Sequence, residues 1–299
     1  MQSHIFAVDI GGSKLICGVV TPQGDILDTY REELAPGYRV GELLQRIQSG
    51  YAHLRHHTLT ACCAAIPGLA DPHEGTWRYS PFSGIADVPI AKELMMLTGL
   101  PTSIDNDVNL SALAERRYGC CQNTEDFLWI TVSNGIGGGL LLNGRLYRGA
   151  GMTAGEIGHV TVEELSGRLC GCGKRGCLEA MASGASIATI YRERTGKHLS
   201  AKEIAARAQA GEDAALRVWQ AAGGYIGKAA AHAVNLLGLD TVVLGGGAAQ
   251  AFDLLAPAAE ASLRRFVFQG AHPAVRLCHS SLGPYASLLG CAALAAEKT

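Results

Sequence analysis

The chain has 299 residues, of which 48% are hydrophobic and 17% charged, a balance typical of globular proteins that excludes a disordered chain. Its 25 basic and 27 acidic side chains give a net charge of −2, so no basic field attracts nucleic acid or an anionic membrane. The length suffices for one large domain or two medium domains, each with its own core.

Nothing in the sequence indicates export. The apolar run at the start meets Asp9 too soon to be a signal-peptide core, and no apolar stretch approaches the ~18 residues that span a bilayer. We therefore expect a cytoplasmic protein without a membrane partner. In that compartment we expect Cys62, Cys63, Cys120 and Cys121 to stay free thiols.

The first 118 residues alternate predicted strands and helices. Apolar strands at Ile5–Ile10 and Leu15–Val20 flank Gly11 and Gly12, which predicts a hairpin with a glycine-rich turn. Apolar spacing then predicts helix Val40–Leu54, strand Leu59–Ile66, helix Ile90–Thr98, strand Pro101–Ile104 and helix Leu110–Tyr118. The last helix is predicted to place Glu115 and Arg116 on its wetter side.

The rest of the chain follows the same pattern. A buried strand at Phe127–Val132 leads into Ser133–Gly139, and Asn143–Gly144 predicts a hairpin turn between Leu140–Leu142 and Leu146–Arg148. The elements predicted beyond them are helices Ala180–Thr195, Ala201–Ala210 and Ala214–Leu237, strand Thr241–Leu244, and helices Ala256–Val267 and Ala286–Lys298. Strands alternating with helices predict an α/β fold.

Glycine-rich turns follow predicted strands three times, at Asp9–Lys14, Ser133–Gly139 and Leu244–Gly247. Backbone N–H groups in such turns form concave anion sites, and glycine is needed because a phosphate approaches the main chain closely. None of the three is a Walker loop, since GxxxxGK[ST] is absent, and none fits the Rossmann fingerprint. One such turn is a weak signal, but their recurrence predicts phosphate-binding loops.

Three cysteines, Cys170, Cys172 and Cys177, fall within eight residues, and His159 lies shortly upstream. Thiolates and an imidazole suit a tetrahedral Zn²⁺ ion, and four protein ligands complete its shell, so we predict a structural zinc. The alternative is incidental buried thiols. A zinc deaminase is excluded because its H-x-E and P-C-x-x-C motifs are absent here. The metal would hold the carboxylates Glu156 and Glu179 near its site.

Seven motifs together resemble the ROK family of repressors, open reading frames and sugar kinases, in the order found there. They are DIGGSK at 9–14, IPG at 66–68, DNDVN at 105–109, NGIGGG at 134–139, EIGH at 156–159, CGCGKRGCLE at 170–179 and LGGG at 244–247. The resemblance implies an α/β, two-lobed actin-like ATPase fold of the hexokinase and Hsp70 type, with a structural zinc site. The small lobe would be residues 1–118 completed by helix 286–298, and the large lobe residues 119–285.

The resemblance also implies an ATP-dependent phosphorylation of a hexose or hexose derivative, at its 6-hydroxyl, with Asp107 as the general base. The expected sugar-binding residues are Gly68, Asn106, Glu156, His159 and Glu179. The expected ATP-binding residues are Asp9, Gly11, Gly12, Ser13, Lys14, Ser133, Asn134, Gly135, Gly137, Gly138, Gly246 and Gly247. Mg²⁺ would accompany the nucleotide, and relatives are usually homodimers. Without the resemblance, the tripeptide Asp105–Asp107 is more typical of a helix N-cap or a turn.

Several positions depart from the family pattern. Asn134 and Ser13 stand where family kinases commonly carry threonine, and Ser80–Asp87 replaces the segment that borders the sugar in relatives. Glu156 replaces the histidine of many bacterial N-acetylmannosamine kinases, which argues against that specificity. These departures leave a glucose-type sugar or an N-acetylhexosamine as the expected substrate.

Two other functions within the same family remain as alternatives. Sugar-sensing transcriptional regulators carry a helix-turn-helix of roughly 70–80 residues before the first phosphate loop, whereas Asp9 lies near the start of this sequence, and the net charge of −2 offers no DNA-binding face. A catalytically silent sugar-binding relative is left open by Asn134. We expect a kinase whose partners are a sugar and ATP, without a nucleic-acid partner.

Overall fold

The computed structural model describes residues 3–297 of the chain. Its strands are β1 (His4–Ile10), β2 (Lys14–Val20), β3 (Ile26–Glu33), β4 (Leu59–Ile66), β5 (Leu69–Asp71), β6 (Thr76–Tyr79), β7 (Ala86–Val88), β8 (Thr102–Asn106), β9 (Phe127–Val132), β10 (Ile136–Leu142), β11 (Arg145–Tyr147), β12 (Thr241–Gly245) and β13 (Arg276–His279). Its helices are α1 (Val40–Leu54), α2 (Ile90–Thr98), α3 (Asp107–Tyr118), α4 (Leu178–Ala182), α5 (Gly184–Thr195), α6 (Ala201–Gln209), α7 (Asp213–Leu237), α8 (Phe252–Phe266) and α9 (Ala286–Ala296).

Contacts divide the described residues into two compact units. The first contains the residues up to Asn123, the segment Arg148–Thr153 and the residues from Tyr285 onward. The second contains Thr124–Tyr147 and Ala154–Pro284.

A five-stranded mixed sheet lies at the centre of the first unit, in the order β3-β2-β1-β4-β8. Strands β1, β2 and β3 are antiparallel, whereas β1, β4 and β8 are parallel. Alternate residues of β1 such as Phe6 and Val8 are buried in one hydrophobic cluster with residues of α1 and α2. Because side chains alternate along a strand, Ala7 and Asp9 belong to the other face of β1, and α9 contacts that strand too.

The second unit repeats this plan with the sheet order β11-β10-β9-β12-β13. Strands β9, β10 and β11 are antiparallel, and β9, β12 and β13 are parallel. The core joins the apolar residues of β9 to those of the helices, above all the 25-residue helix α7, which packs on α8. Two mixed sheets covered by helices confirm the predicted α/β class.

The structure corrects several predicted elements. Only Ser133–Gly135 form a turn, and Ile136–Gly139 lie in strand β10. The predicted helix Ala180–Thr195 is two helices, because the Ser183 hydroxyl accepts a hydrogen bond from the Ser186 N–H and caps a new helix. Glu115 is fully buried rather than on a wet face, and its Oε1 accepts a hydrogen bond from the Cys120 N–H at 2.8 Å.

Strands β3 and β13 and the three-stranded sheet β5-β6-β7 were not predicted. The end of the last predicted helix, Lys298, lies outside the described residues. Within residues 3–297, no helix is both long enough and apolar enough to span a bilayer.

Candidate functional site

In the first unit, two carboxylates lie at the same edge of the central sheet. Asp9 is the penultimate residue of β1, and Asp107 follows β8 as the first residue of α3. Strands β1, β4 and β8 run parallel, so their carboxyl ends meet at one edge, where ligands bind in open α/β sheets. Both residues are predicted site residues, and the topology brings them together.

Burial and the neighbouring charge of Asp9 change the proton affinity of Asp107. Withdrawal from water, followed by the charge of Asp9, raises the pKa of Asp107 from 3.8 to about 7. Burial also raises the pKa of Asp9, against a hydrogen bond from Ser287 and the positive charge of Lys14. A carboxylate with a pKa near neutrality is matched to proton abstraction at physiological pH.

Asn106 has a structural role at the start of α3. Its Oδ1 accepts hydrogen bonds from the backbone N–H groups of Val108 (2.9 Å) and Asn109 (3.1 Å), so it is the N-cap of the helix. Its Nδ2 donates to the Gly68 carbonyl at 2.8 Å. The Asn106 side chain also hydrogen-bonds Asp107, which acts to lower the pKa of that carboxylate. The residue therefore fixes Asp107 and Gly68 relative to each other.

Gly68 allows a close crossing of two backbone segments. Its φ is +81°, and a Cβ there would lie 2.4 Å from the Tyr79 carbonyl oxygen. Both facts exclude other residues without a local shift. The IPG motif is thus explained by backbone geometry that holds this loop beside Asn106.

A buried ion pair behind Asp107 was not predicted. Asp105 is 1% exposed, and its Oδ2 accepts hydrogen bonds from Arg148 Nε at 2.8 Å and Nη2 at 2.6 Å. Its Oδ1 accepts from the Asn106 N–H and from Asn109 Nδ2. Every strong acceptor position of this carboxylate is thus engaged, which makes Asp105 a positioning residue for the segment that carries Asn106 and Asp107.

The first glycine turn is held from outside by two segments. The Gly11 N–H donates to the Lys14 carbonyl at 2.9 Å, which closes the turn between β1 and β2. The Tyr38 hydroxyl donates to the Gly11 carbonyl at 3.2 Å, and the Leu34 N–H donates to the Ser13 carbonyl at 2.8 Å. The turn is therefore fixed in place before any anion binds.

In the second unit, His159, Cys170, Cys172 and Cys177 offer ligand atoms that all lie within 4.8 Å of one another. Cys172 Sγ and Cys177 Sγ are 3.6 Å apart, and Cys170 Sγ is 3.7 Å from His159 Nδ1. Zn–S bonds of ~2.3 Å give tetrahedral edges of roughly 3.8 Å. A backbone N–H of Lys174 lowers the pKa of Cys172 to about 7, whereas burial raises the pKa of Cys170 and that of Cys177. The four side chains fit a zinc ion.

The cysteine cluster is connected directly to Glu179. Cys177 is the residue before α4, and Glu179 lies in the first turn of that helix. Its Oε2 accepts a hydrogen bond from the Ile136 N–H at 3.0 Å, at the start of β10. The position of α4 thus sets both this carboxylate and the end of the turn Ser133–Gly135.

The EIGH motif is a single 3₁₀ turn, Ile157–His159, that packs against β10. A Cβ on Gly138 would lie 2.7 Å from the Gly155 carbonyl oxygen, and a Cβ on Gly155 would lie 2.1 Å from the Gly138 oxygen. Glycine in β10 is thus required by backbone packing. With Nδ1 of His159 toward Cys170, its Nε2 lies 3.9 Å from Glu156 Oε2.

The second and third glycine segments are neighbours, because β9 and β12 are adjacent parallel strands. Gly246 has φ +93°, and its Cβ would lie 2.7 Å from both Thr131 Oγ1 and the Val132 carbonyl oxygen. A Cβ on Gly247 would lie 3.8 Å from Ser133 Oγ. Two backbone turns with little side-chain bulk therefore meet at the carboxyl edge of this sheet, where ligands bind in open α/β sheets.

The predicted site residues thus form one group in each unit. The first unit gathers Asp9, Gly11, Gly12, Ser13, Lys14, Gly68, Asn106 and Asp107 at the carboxyl edge of its sheet. The second gathers Ser133, Asn134, Gly135, Glu156, His159, Glu179, Gly246, Gly247 and the three cysteines near the ends of β9 and β12. Gly137 and Gly138 lie in β10 rather than in the predicted turn.

Comparison with known proteins gives a consistent picture. The family model described as ROK family matches residues 5–298. A glucokinase of Halalkalibacterium halodurans is 32% identical over 271 residues, 83% of this chain and 81% of its own. An N-acetylmannosamine kinase of Citrobacter koseri is 32% identical over 97% of both chains.

Two solved structures share the fold over nearly the whole chain. A ROK family glucokinase from Streptomyces griseus, in complex with glucose and AMPPNP, superimposes with a TM-score of 0.89 at 27% identity, covering 98% of this chain and 99% of its own. A ROK family transcriptional regulator, a homologue of the E. coli MLC protein, gives 0.90 at 25% identity, covering 98% of this chain and 78% of its own.

Proposed function

This chain belongs to the ROK family and is an ATP-dependent sugar kinase, as are its curated relatives, and we propose that it phosphorylates a glucose-type sugar or an N-acetylhexosamine at the 6-hydroxyl. The observation that carries the proposal is the position of the Asp107 carboxylate, which lies with Asp9 at the carboxyl edge of the sheet and has a pKa raised to about 7. The predicted family membership is confirmed.

In the proposed reaction, Asp107 takes the proton from the sugar hydroxyl as its oxygen attacks the γ-phosphorus of ATP. An alcohol is a weak nucleophile until it loses its proton, so a base placed at that atom is effective. The γ-phosphorus–oxygen bond to ADP breaks as the new bond to the sugar forms. Lys14 and the N–H groups of the glycine turns offset the negative charge on the phosphoryl group.

The sugar-binding roles are proposed for Gly68, Asn106, Glu156, His159 and Glu179. Carboxylates accept hydrogen bonds from ring hydroxyls, and an asparagine amide can both donate and accept them. The proposed nucleotide-binding residues are those of the three glycine segments, Asp9–Lys14, Ser133–Gly138 and Gly246–Gly247. Mg²⁺, when bound with ATP, would supply charge neutralisation at the phosphates, and Asp9 lies in β1 just before the first turn.

Glu156 supports a glucose-type substrate over N-acetylmannosamine. Its carboxylate is more than half exposed and lies beside His159, so it is available to hydroxyls of a bound sugar. The relative from Citrobacter koseri is an N-acetylmannosamine kinase, so N-acetylmannosamine is the alternative substrate. The predicted homodimer, the Zn²⁺ ion and the small lobe of residues 1–118 with 286–298 against a large lobe of 119–285 stay predictions.

A sugar-sensing regulator is the second candidate, because one solved regulator shares the fold with a TM-score of 0.90. A coupled assay of ADP release separates the two, with glucose, mannose, N-acetylglucosamine, N-acetylmannosamine, fructose and allose as acceptors. We expect ADP release with a glucose-type sugar or an N-acetylhexosamine. If every sugar binds but none releases ADP, the regulatory or silent reading replaces the kinase.

We expect kcat/KM for the sugar to fall about tenfold per pH unit below pH 7. A general base works only when ionised, and the pKa of Asp107 is raised to about 7, so acidification protonates it. Because the folded state binds the Asp107 proton more tightly than the unfolded state does, the contribution of Asp107 to the free energy of unfolding decreases as the pH rises from about 4 to 7. A profile flat from pH 5 to 8 would contradict the assignment.

Replacing Cys172 with serine is expected to remove one equivalent of zinc and to lower the free energy of unfolding by at least about 2 kcal/mol. The loss should be smaller than the ~10–16 kcal/mol by which zinc binding stabilises zinc-finger peptides, because the rest of the core remains. Metal analysis and thermal unfolding measure the two effects. Cys120→Ser, at an exposed cysteine outside the cluster, is the matched control. Unchanged zinc content in Cys172→Ser would exclude the predicted site.

A further inference from the structure

A second group of metal-ligating side chains lies in the first unit, remote from the carboxylates already described. A carboxylate oxygen of Asp28 and one ring nitrogen each of His56 and His57 lie within 4.8 Å of one another. Asp28 is in β3, and the two histidines follow the end of α1. Asp28 pairs with Val19, which pairs with Phe6, so the cluster lies toward the amino end of β1, away from Asp9.

The hydrogen bonding of His56 determines its tautomer. Its Nδ1 lies 2.9 Å from the backbone carbonyl oxygen of His53. A carbonyl oxygen only accepts, so Nδ1 must carry the hydrogen, and the lone pair is then on Nε2. Donation of one ring N–H to a backbone carbonyl is the arrangement that orients metal-binding histidines.

His57 has a ring nitrogen that no hydrogen bond satisfies. Its Nε2 is withdrawn from solvent and has no hydrogen-bond partner among the described residues. The nearest carboxylate oxygen, Asp28 Oδ2, is 3.7 Å away, which is too long for a hydrogen bond. Two ligands of one tetrahedral ion, with metal bonds of ~2.0–2.1 Å, lie roughly 3.3–3.4 Å apart. The separation is close to that of two ligands of one shared ion.

Asp28 has an oxygen to spare for such an ion. Its Oδ1 accepts a hydrogen bond from the Thr29 N–H at 2.7 Å, which fixes the orientation of the carboxylate. Oδ2 is the oxygen that faces His57. Each of the three side chains therefore has one coordinating atom free, and two of them are held by hydrogen bonds to the backbone.

We propose that Asp28, His56 and His57 form a second binding site for a divalent transition-metal ion, with Zn²⁺ as the expected occupant. Two imidazoles and one carboxylate suit zinc better than Mg²⁺ or Ca²⁺, which take oxygen ligands. Water completes the shell. The ion joins the segment after α1 to strand β3, at the edge of the sheet opposite β8.

The test is zinc stoichiometry and affinity in the full-length chain, titrated with Zn²⁺ alone. Wild type is expected to bind two equivalents, and His57→Ala and Asp28→Asn one each. Because loss of an outer-shell partner already costs about 10–100-fold in metal affinity, loss of a direct ligand should weaken the second site more than about 100-fold. His53→Ala is the matched control, since it removes an exposed neighbouring imidazole and keeps the carbonyl that bonds His56.

Substitution with Co²⁺ separates the two sites. The site with three cysteines gives a thiolate-to-metal charge-transfer band, whereas the Asp28 site gives only ligand-field bands, and these should vanish in His57→Ala while the first band persists. Equal zinc content in wild type and His57→Ala overturns the proposal, as does an equal loss in His53→Ala. A single equivalent in wild type, with the charge-transfer band intact, overturns it too.

Discussion

Replacing Asp107 with asparagine is expected to lower kcat for sugar phosphorylation by about 10²–10⁴-fold, the usual contribution of a positioned general base. The substitution is nearly isosteric and removes the negative charge and, with it, the ability to take a proton. The Asp107 Oδ1 accepts a hydrogen bond from the Val108 N–H at 3.0 Å, and the oxygen of asparagine can accept the same bond. Folding and ATP binding should therefore persist.

The measurement is steady-state ADP release at saturating sugar and ATP, with nucleotide affinity determined separately by calorimetry. Asp25→Asn is the matched control, because it makes the same chemical change at an exposed position of the same unit, in the turn between β2 and β3. It should retain the wild-type rate. Near-normal turnover in Asp107→Asn would remove the proposed base, and loss of ATP binding would show that the residue acts in folding or nucleotide recognition instead.

Replacing Asp105 with asparagine is expected to lower the free energy of unfolding by about 3–5 kcal/mol, the cost of removing one partner from a buried ion pair. Asp105 is 1% exposed and the Arg148 side chain 23%, so water cannot replace the lost charge. Two N–H groups of Arg148 donate to the Oδ2 atom of Asp105. In asparagine one of the two side-chain oxygens is replaced by an NH2 group, and in one of the two amide orientations that donor would face the Arg148 donors. The segment that carries Asn106 and Asp107 then loses its support.

Denaturant unfolding, followed by the m-value to test for a cooperative transition, measures this loss. Asp213→Asn is the control, since it breaks an Asp–Arg pair with Arg217 on a helix surface, where such pairs contribute little. A change of less than about 1 kcal/mol in Asp105→Asn would mean that the pair is not a major support of the first unit. The predicted order is a large effect at 105 and none at 213.

Sequence patterns located the long, regular elements accurately. Helices Val40–Leu54 and Ile90–Thr98 and strands Leu59–Ile66 and Phe127–Val132 begin and end at the predicted residues. Their apolar residues recur with a clear period or form a continuous run, and polar or glycine-rich segments bound them. The four predicted zinc ligands also lie together, because three of them are close in sequence and the fourth is only a short distance upstream.

Short or polar strands escaped prediction for a physical reason. Strand β3 carries polar residues on both faces, as expected at a sheet edge, so it shows no apolar alternation. Strands β5 to β7 and β13 have only three or four residues and take their stability from neighbours. Ser133–Gly139 was predicted to be one long turn. The sequence alone does not distinguish a glycine that close backbone packing requires from a glycine that a turn requires.

Contacts between distant residues were beyond sequence reasoning. Asp105 and Arg148 are separated by 43 positions, and nothing local marks them as partners. The burial of Glu115 is similar, since its acceptor role toward the Cys120 N–H appears only when α3 ends at Gly119. An isolated charge in a helix looks solvated until tertiary structure shows otherwise.

With the proposed roles of Glu179 in sugar binding and of the turn Ser133–Gly135 in phosphate binding, the hydrogen bond from the Ile136 N–H to Glu179 Oε2 would couple the two substrates. A hydroxyl that draws on this carboxylate alters the electron density available to the amide, and a phosphate that pulls on the adjoining turn alters the same bond from its other end. Linkage then requires that each ligand change the affinity for the other by an identical factor. Cooperativity between nucleotide and carbohydrate binding would thus depend on the side chain of Glu179.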